Sequence, residues 1–179
     1  MKKFVSLFCV FVLLFLSSCV QEDLIDVYVF TDRFNRLNLF EKISDDELYA
    51  SEENDEISFD FLIDSKFLLS VVSDKKSHKI KRCFATYEYE KNLNTQTKDR
   101  YFSLCLAIIS SYTDCSIKEA EELMNRIGFN KEVLFDKKKN VSCTEGFNSY
   151  HFFCNKYGFS FTVESTRLND PDPTDPRLQ

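Results

Sequence analysis

The chain has 179 residues and a formal net charge of −6, with 23 Lys and Arg against 29 Asp and Glu. That balance argues against nucleic acid or an anionic lipid surface as the principal partner, because phosphate recognition rests on clustered basic side chains. Nineteen Phe and eight Tyr, with no Trp, supply apolar area for a packed core, and the length suits one small domain.

Residues 1–19 carry an address. Lys2 and Lys3 precede an apolar run over 4–16, which ends in Leu16-Ser17-Ser18-Cys19. A basic start, an apolar middle and a small-residue end make a secretory signal, and the run is too short to span a bilayer comfortably. With Cys19 directly after Leu-Ser-Ser, the segment resembles the signal of bacterial lipoproteins. The resemblance covers these nineteen residues alone and implies removal of 1–18, a diacylglycerol thioether on Cys19 and acylation of the new amine. Each buried acyl methylene contributes about 0.8 kcal/mol, so two or three chains anchor a domain durably. Val20 in place of Asp after the lipidated cysteine implies the outer membrane in an organism with two membranes. Cleavage would remove two lysines and no acid, taking the net charge from −6 to about −8; repulsion would then hold the domain off an anionic surface.

Residues 19–23 form a short tether, and the domain is expected over 24–166. From Leu24, the apolar residues Val27, Tyr28, Phe30, Phe34 and Leu37 recur at helical spacing to about Asn38. Seven carboxylates then crowd residues 44–56 (Asp45, Asp46, Glu47, Glu52, Glu53, Asp55, Glu56), which reads as a solvated loop without the glycine of a calcium loop. Three strands follow at 57–63, 66–72 and 79–89, joined by short polar turns that favour an antiparallel meander. In the first, Ile57, Phe59, Phe61 and Ile63 mark one buried face; in the last, Ile80, Arg82, Phe84 and Thr86 oppose Lys81, Cys83, Ala85 and Tyr87.

After a polar loop at 92–97, residues 99–112 are apolar nearly all round, the mark of a central buried helix. Ser116-Ile117-Lys118-Glu119 is a capping box, and its helix runs to Ile127 with Gly128 suited to the C′ position. Ala120, Leu123, Met124 and Ile127 form its inner stripe. Strands are expected again at 133–135, 140–144, 149–154 and 159–164, with turns at Gly146 and Gly158. The stretch 167–179 holds every proline of the chain and reads as a disordered acidic tail. The fold class is therefore α+β: an antiparallel sheet packed against two or three helices, its early and late meanders being candidate halves of one sheet.

Chemistry is sparse. Phosphate loops, nucleophile elbows and His-Glu-x-x-His are missing from the sequence. His78 sits in a lysine-rich turn. His151 with Cys143 and Cys154 spells Cys-x7-His-x2-Cys, but strand alternation sends neighbours to opposite faces, so no metal or cofactor is expected. Cys83, Cys105, Cys115, Cys143 and Cys154 are candidates for one or two disulfides after export, or for buried reduced thiols. Lys75-Lys76, residues 79–82 and Lys137-Lys138-Lys139 are hairpin-tip clusters that could jointly oppose the acidic loop as a patch for a protein partner. Anchoring and the lack of a convergent catalytic set point to a non-catalytic binding, inhibitor or immunity-type protein of the cell envelope. A structural envelope component, or a small hydrolase using a Cys or His151 with a carboxylate, is the alternative.

Overall fold

The computed structural model describes residues 24–44, 49–88, 94–129, 131, 140–154 and 157–167. The signal and Cys19, the tether 19–23, the strand expected at 133–135, Asp45, Asp46, Glu47, Lys137 to Lys139 and the tail beyond Arg167 lie outside the described residues.

Among the described residues, three helices, α1 (Val27–Arg36), α2 (Thr95–Thr113) and α3 (Ile117–Arg126), accompany seven strands: β1 (Tyr49–Glu53), β2 (Glu56–Ile63), β3 (Phe67–Asp74), β4 (Ile80–Glu88), β5 (Asn140–Glu145), β6 (Asn148–Cys154) and β7 (Gly158–Ser165). The strands make one antiparallel sheet in the order β1-β2-β3-β4-β7-β6-β5. The α+β class read from the sequence thus holds, and the two meanders are halves of one sheet joined along β4 and β7. No helix among the described residues is long and apolar enough to cross a membrane.

One face of the sheet packs under the helices. Phe61, Ile63, Phe67, Leu69, Val71, Cys83, Ala85, Tyr87, Phe159, Phe161 and Val163 are all buried there with the inner residues of α1, α2 and α3. Helix α2 lies at the centre, and its Tyr101 has no exposed surface. The Tyr101 ring meets Phe159 edge-on at 4.2 Å and Phe67 at 5.5 Å, and its hydroxyl donates to Ala85 O at 2.7 Å. A phenol buried among rings needs that acceptor, since an unpaired hydroxyl in an apolar core costs stability. Helix α3 has the predicted capping box, with Glu119 N donating to Ser116 Oγ and Ser116 N donating to Glu119 Oε2. Gly128 follows at φ 83°, and Phe129 N closes the end on Met124 O at 2.7 Å.

Three local expectations are corrected. Residues 49–53, assigned to the acidic loop, form the edge strand β1, paired from Tyr49↔Asp60 to Glu53↔Glu56. It lacks apolar alternation because it is an edge, where acidic side chains also discourage pairing with other chains. Helix α2 starts at Thr95, inside the expected polar loop, because the Asn94 side chain accepts from Thr97 N at 2.8 Å and caps it. Ile80 does not share a face with Arg82. The register steps from Val72↔Arg82 to Ser73↔Ile80, so Lys81 is an extra residue in β4 that turns Ile80 inward, fully buried.

Where β4 meets β7, Gly158 pairs with Glu88, and a Cβ built on Gly158 would stand 2.2 Å from Tyr87 O. Gly146 has open space around it but a φ of 61°. Urea denaturation should therefore show Gly158→Ala losing about 2–3 kcal/mol by overpacking, against roughly 1 kcal/mol for Gly146→Ala from left-handed strain alone. Equal losses would contradict the close approach of β7 to β4. Tyr101→Phe should cost about 1 kcal/mol through the lost bond to Ala85 O, and a neutral result would contradict the buried hydrogen bond.

Candidate functional site

The fold separates the residues that the sequence grouped by spacing. Cys143 pairs with Tyr150 and Cys154 with Phe159 on the helix-covered face, while His151, paired with Ser142 and Thr162, stands on the bare face. Cys143, His151 and Cys154 therefore do not converge, and no cluster of three or more metal-ligating side chains occurs among the described residues. His78 is exposed in the β3–β4 turn.

The five cysteines are thiols. Register closes two pairings: Cys143 and Cys154 are about 13 Å apart along their strands, and Cys83 and Cys143 share a row across three strand spacings, about 14 Å. A disulfide needs Cα atoms within about 7 Å. Cys83, Cys105 and Cys154 sit in the core.

The acidic and basic segments do meet, but on each other. Lys75 pairs with Glu52, Arg82 with Glu56 at 2.6 Å, and Lys81 with both Glu56 and Asp74. Glu56 is partly desolvated, yet the Arg82 and Lys81 contacts hold its carboxyl below the usual range. Asp74 is lowered by the Ser77 amide above all. Both contributions to stability are present above the ordinary carboxylate pKa and are lost as pH falls through the lowered values.

The bare face carries a row that crosses six strands: Asp60, Ser70, Phe84, Thr162, His151 and Ser142. Ser142 Oγ lies 2.9 Å from His151 Nδ1 in the open. Acyl transfer needs donors aimed at a developing oxyanion as well as a serine–imidazole contact.

A cleft of about 520 Å³ lies at one end of the helical layer. Its first wall is the start of α1. Asp26 caps that helix by accepting from Val29 N, and Ile80 N donates to Ile25 O at 2.8 Å, pinning residues 25–26 to β4 beside Lys79. Its second wall is the end of α2, stopped by Asp114 at φ 56°. Arg33 reaches across from α1, donating to Ser111 O at 3.3 Å and to Asp114 Oδ2 at 3.0 Å, so one guanidinium ties two helices and satisfies a helix-end carbonyl.

The third wall is the β5–β6 hairpin. Gly146 and Phe147 are its two loop residues, with a positive φ at Gly146 only, the pattern of a type II′ turn. The turn presents the half-exposed Phe147 ring, over which the Arg167 guanidinium lies at 3.6 Å. Thr166 locks the turn to the end of β7 through two bonds to Phe147 O. At the base, Tyr112 is 8% exposed, its hydroxyl beside Ser165 but without a hydrogen bond of ordinary geometry. Burial pushes its phenol well above the ordinary value.

Sequence reading did not find this site. Tyr112 reads as core, Lys79 as a solvated tip and Arg167 as tail; no local motif joins five segments spread over more than a hundred residues. Scans against protein-family models, curated proteins and solved structures find no match to the chain.

The thiols give a test of the packing. Burial raises the pKa of Cys83 and Cys105 well above the usual value, and burial, aided by Glu119 and Asp114, raises that of the half-buried Cys115. Alkylation at pH 8 should label half-buried Cys143 first and Cys115 slowly, with Cys115 accelerating as pH rises, while Cys83 and Cys105 react only after denaturation. Because the folded thiols stay neutral where the unfolded ones ionise, stability should fall as pH climbs past about 9. Fast native labelling of Cys83 or Cys105 would contradict the core described above.

Proposed function

We propose that the chain is a lipid-anchored, non-catalytic binding protein of the bacterial cell envelope, with an accessory, inhibitor or immunity-type role, and that the cleft is where it binds. The observation that carries this reading is how few residues separate the cleft from Cys19. Leu24 is part of its lining, five residues after Cys19. Fully extended, five residues reach about 17 Å. A diacylglycerol on Cys19 would thus hold the cleft close to the bilayer, in the outer membrane where the organism has two. Concave shape, a mainly apolar lining and a few convergent polar groups are what small-ligand sites share.

The hydrolase reading calls for a Cys, or for His151 with a carboxylate; the neighbour of His151 is instead Ser142. That exposed contact stands outside the cleft lining, whereas acyl transfer needs enclosed, convergent groups.

Fractionation of cells expressing wild type and Cys19→Ala tests the proposal. The wild type should sediment with membranes and dissolve only in detergent, and Cys19→Ala should lose membrane association. A serine-directed fluorophosphonate should leave Ser142 unlabelled. Membrane retention of Cys19→Ala would overturn the lipid anchor, and stoichiometric labelling of Ser142 would overturn the non-catalytic reading.

A further inference from the structure

The cleft's charge runs against that of the chain. The sequence carries a net −6, yet the cleft walls hold three cations, Arg33, Lys79 and Arg167, against two carboxylates, Asp26 and Asp114. Both carboxylates are engaged, Asp26 on Val29 N and Asp114 on Arg33. No carboxylate among the described residues pairs with Lys79, although its neighbours Lys75 and Lys81 are paired.

Two hydroxyls stand at the base. Tyr112 Oη makes no hydrogen bond of ordinary geometry although the residue is more than nine-tenths buried. Ser165 Oγ accepts from Arg167 N at 3.3 Å and keeps a proton to donate. Leaving a buried O–H without an acceptor is costly, and an ionised acceptor repays it best. Beside these donors the cleft offers Ile25, Val29 and the Phe147 ring.

We infer that the cleft binds a small organic monoanion, a single carboxylate on an apolar body. The carboxylate lies against Lys79 and the Tyr112 and Ser165 hydroxyls, and the body lies against Val29 and Phe147. One net positive charge suits a monoanion better than a phosphate dianion, and the apolar wall adds burial that an inorganic ion cannot use. The inference deepens the binding reading above and rests on it.

Full-length protein in nanodiscs, titrated calorimetrically with 3-phenylpropionate, tests it. The wild type should bind, and 3-phenylpropylammonium, with the same body and opposite charge, should not. Lys79→Ala should weaken binding about tenfold and Tyr112→Phe roughly three- to tenfold, while His151→Ala on the bare face should bind as wild type does. Equal binding of the ammonium, equal affinity for inorganic phosphate, unchanged affinity in both cleft variants, or no binding of phenylpropionate at millimolar concentration would each overturn the inference. None of these outcomes touches the anchored reading, which stands or falls on the fate of Cys19→Ala.

Discussion

The β4–β7 ladder is the constraint on which the rest of this structure depends. Its seven register pairs, from Arg82↔Glu164 to Glu88↔Gly158, join two meanders that share no other strand pairing. Neither meander covers its own apolar face; α2 covers both. Tyr101 shows how: one side chain donates to Ala85 on β4 and packs its ring on Phe159 of β7. Helix burial and strand pairing are therefore one cooperative event, the behaviour expected of a small single domain. The glycine at the start of β7 follows from the same closeness, because the Tyr87 carbonyl occupies the space a side chain would need.

The cleft inherits its shape from that ladder. Lys79 enters through β4, Ser165 and Arg167 leave through β7, and the β5–β6 turn is held by Thr166. Arg33 then sets the distance between α1 and the end of α2. These groups come from segments far apart in the chain, so the site exists only in the folded state. The charged residues elsewhere behave differently. Lys75, Lys81 and Arg82 are consumed by Glu52, Glu56 and Asp74, whereas in the cleft lining cations outnumber acids.

What was legible in the sequence was what local chemistry decides. The period-two run Ile57, Phe59, Phe61, Ile63 fixed a strand and its inner face, and Ser116 with Glu119 fixed a helix start to the residue. Legibility failed where tertiary structure overrides local pattern. Strand β1 has no apolar alternation, since an edge strand of Ser and Glu takes its conformation from the neighbour it pairs with. Simple alternation placed Ile80 with Arg82, and only the pairing partner reveals the bulge at Lys81. Strand alternation does put His151 and Cys154 on opposite faces. The cleft was illegible because it is a convergence of segments, each with an ordinary local explanation: a helix cap, a hairpin turn, a core tyrosine.

Native mass spectrometry of the protein extracted from its own membranes would test the central claim, an acylated Cys19 holding a ligand-filled cleft beside the bilayer, most directly. The account predicts a chain beginning at Cys19 with an acyl increment that survives denaturation, together with a second, small increment that denaturation removes. An unacylated chain retaining residues 1–18, or an acylated chain whose native and denatured masses agree, would contradict it.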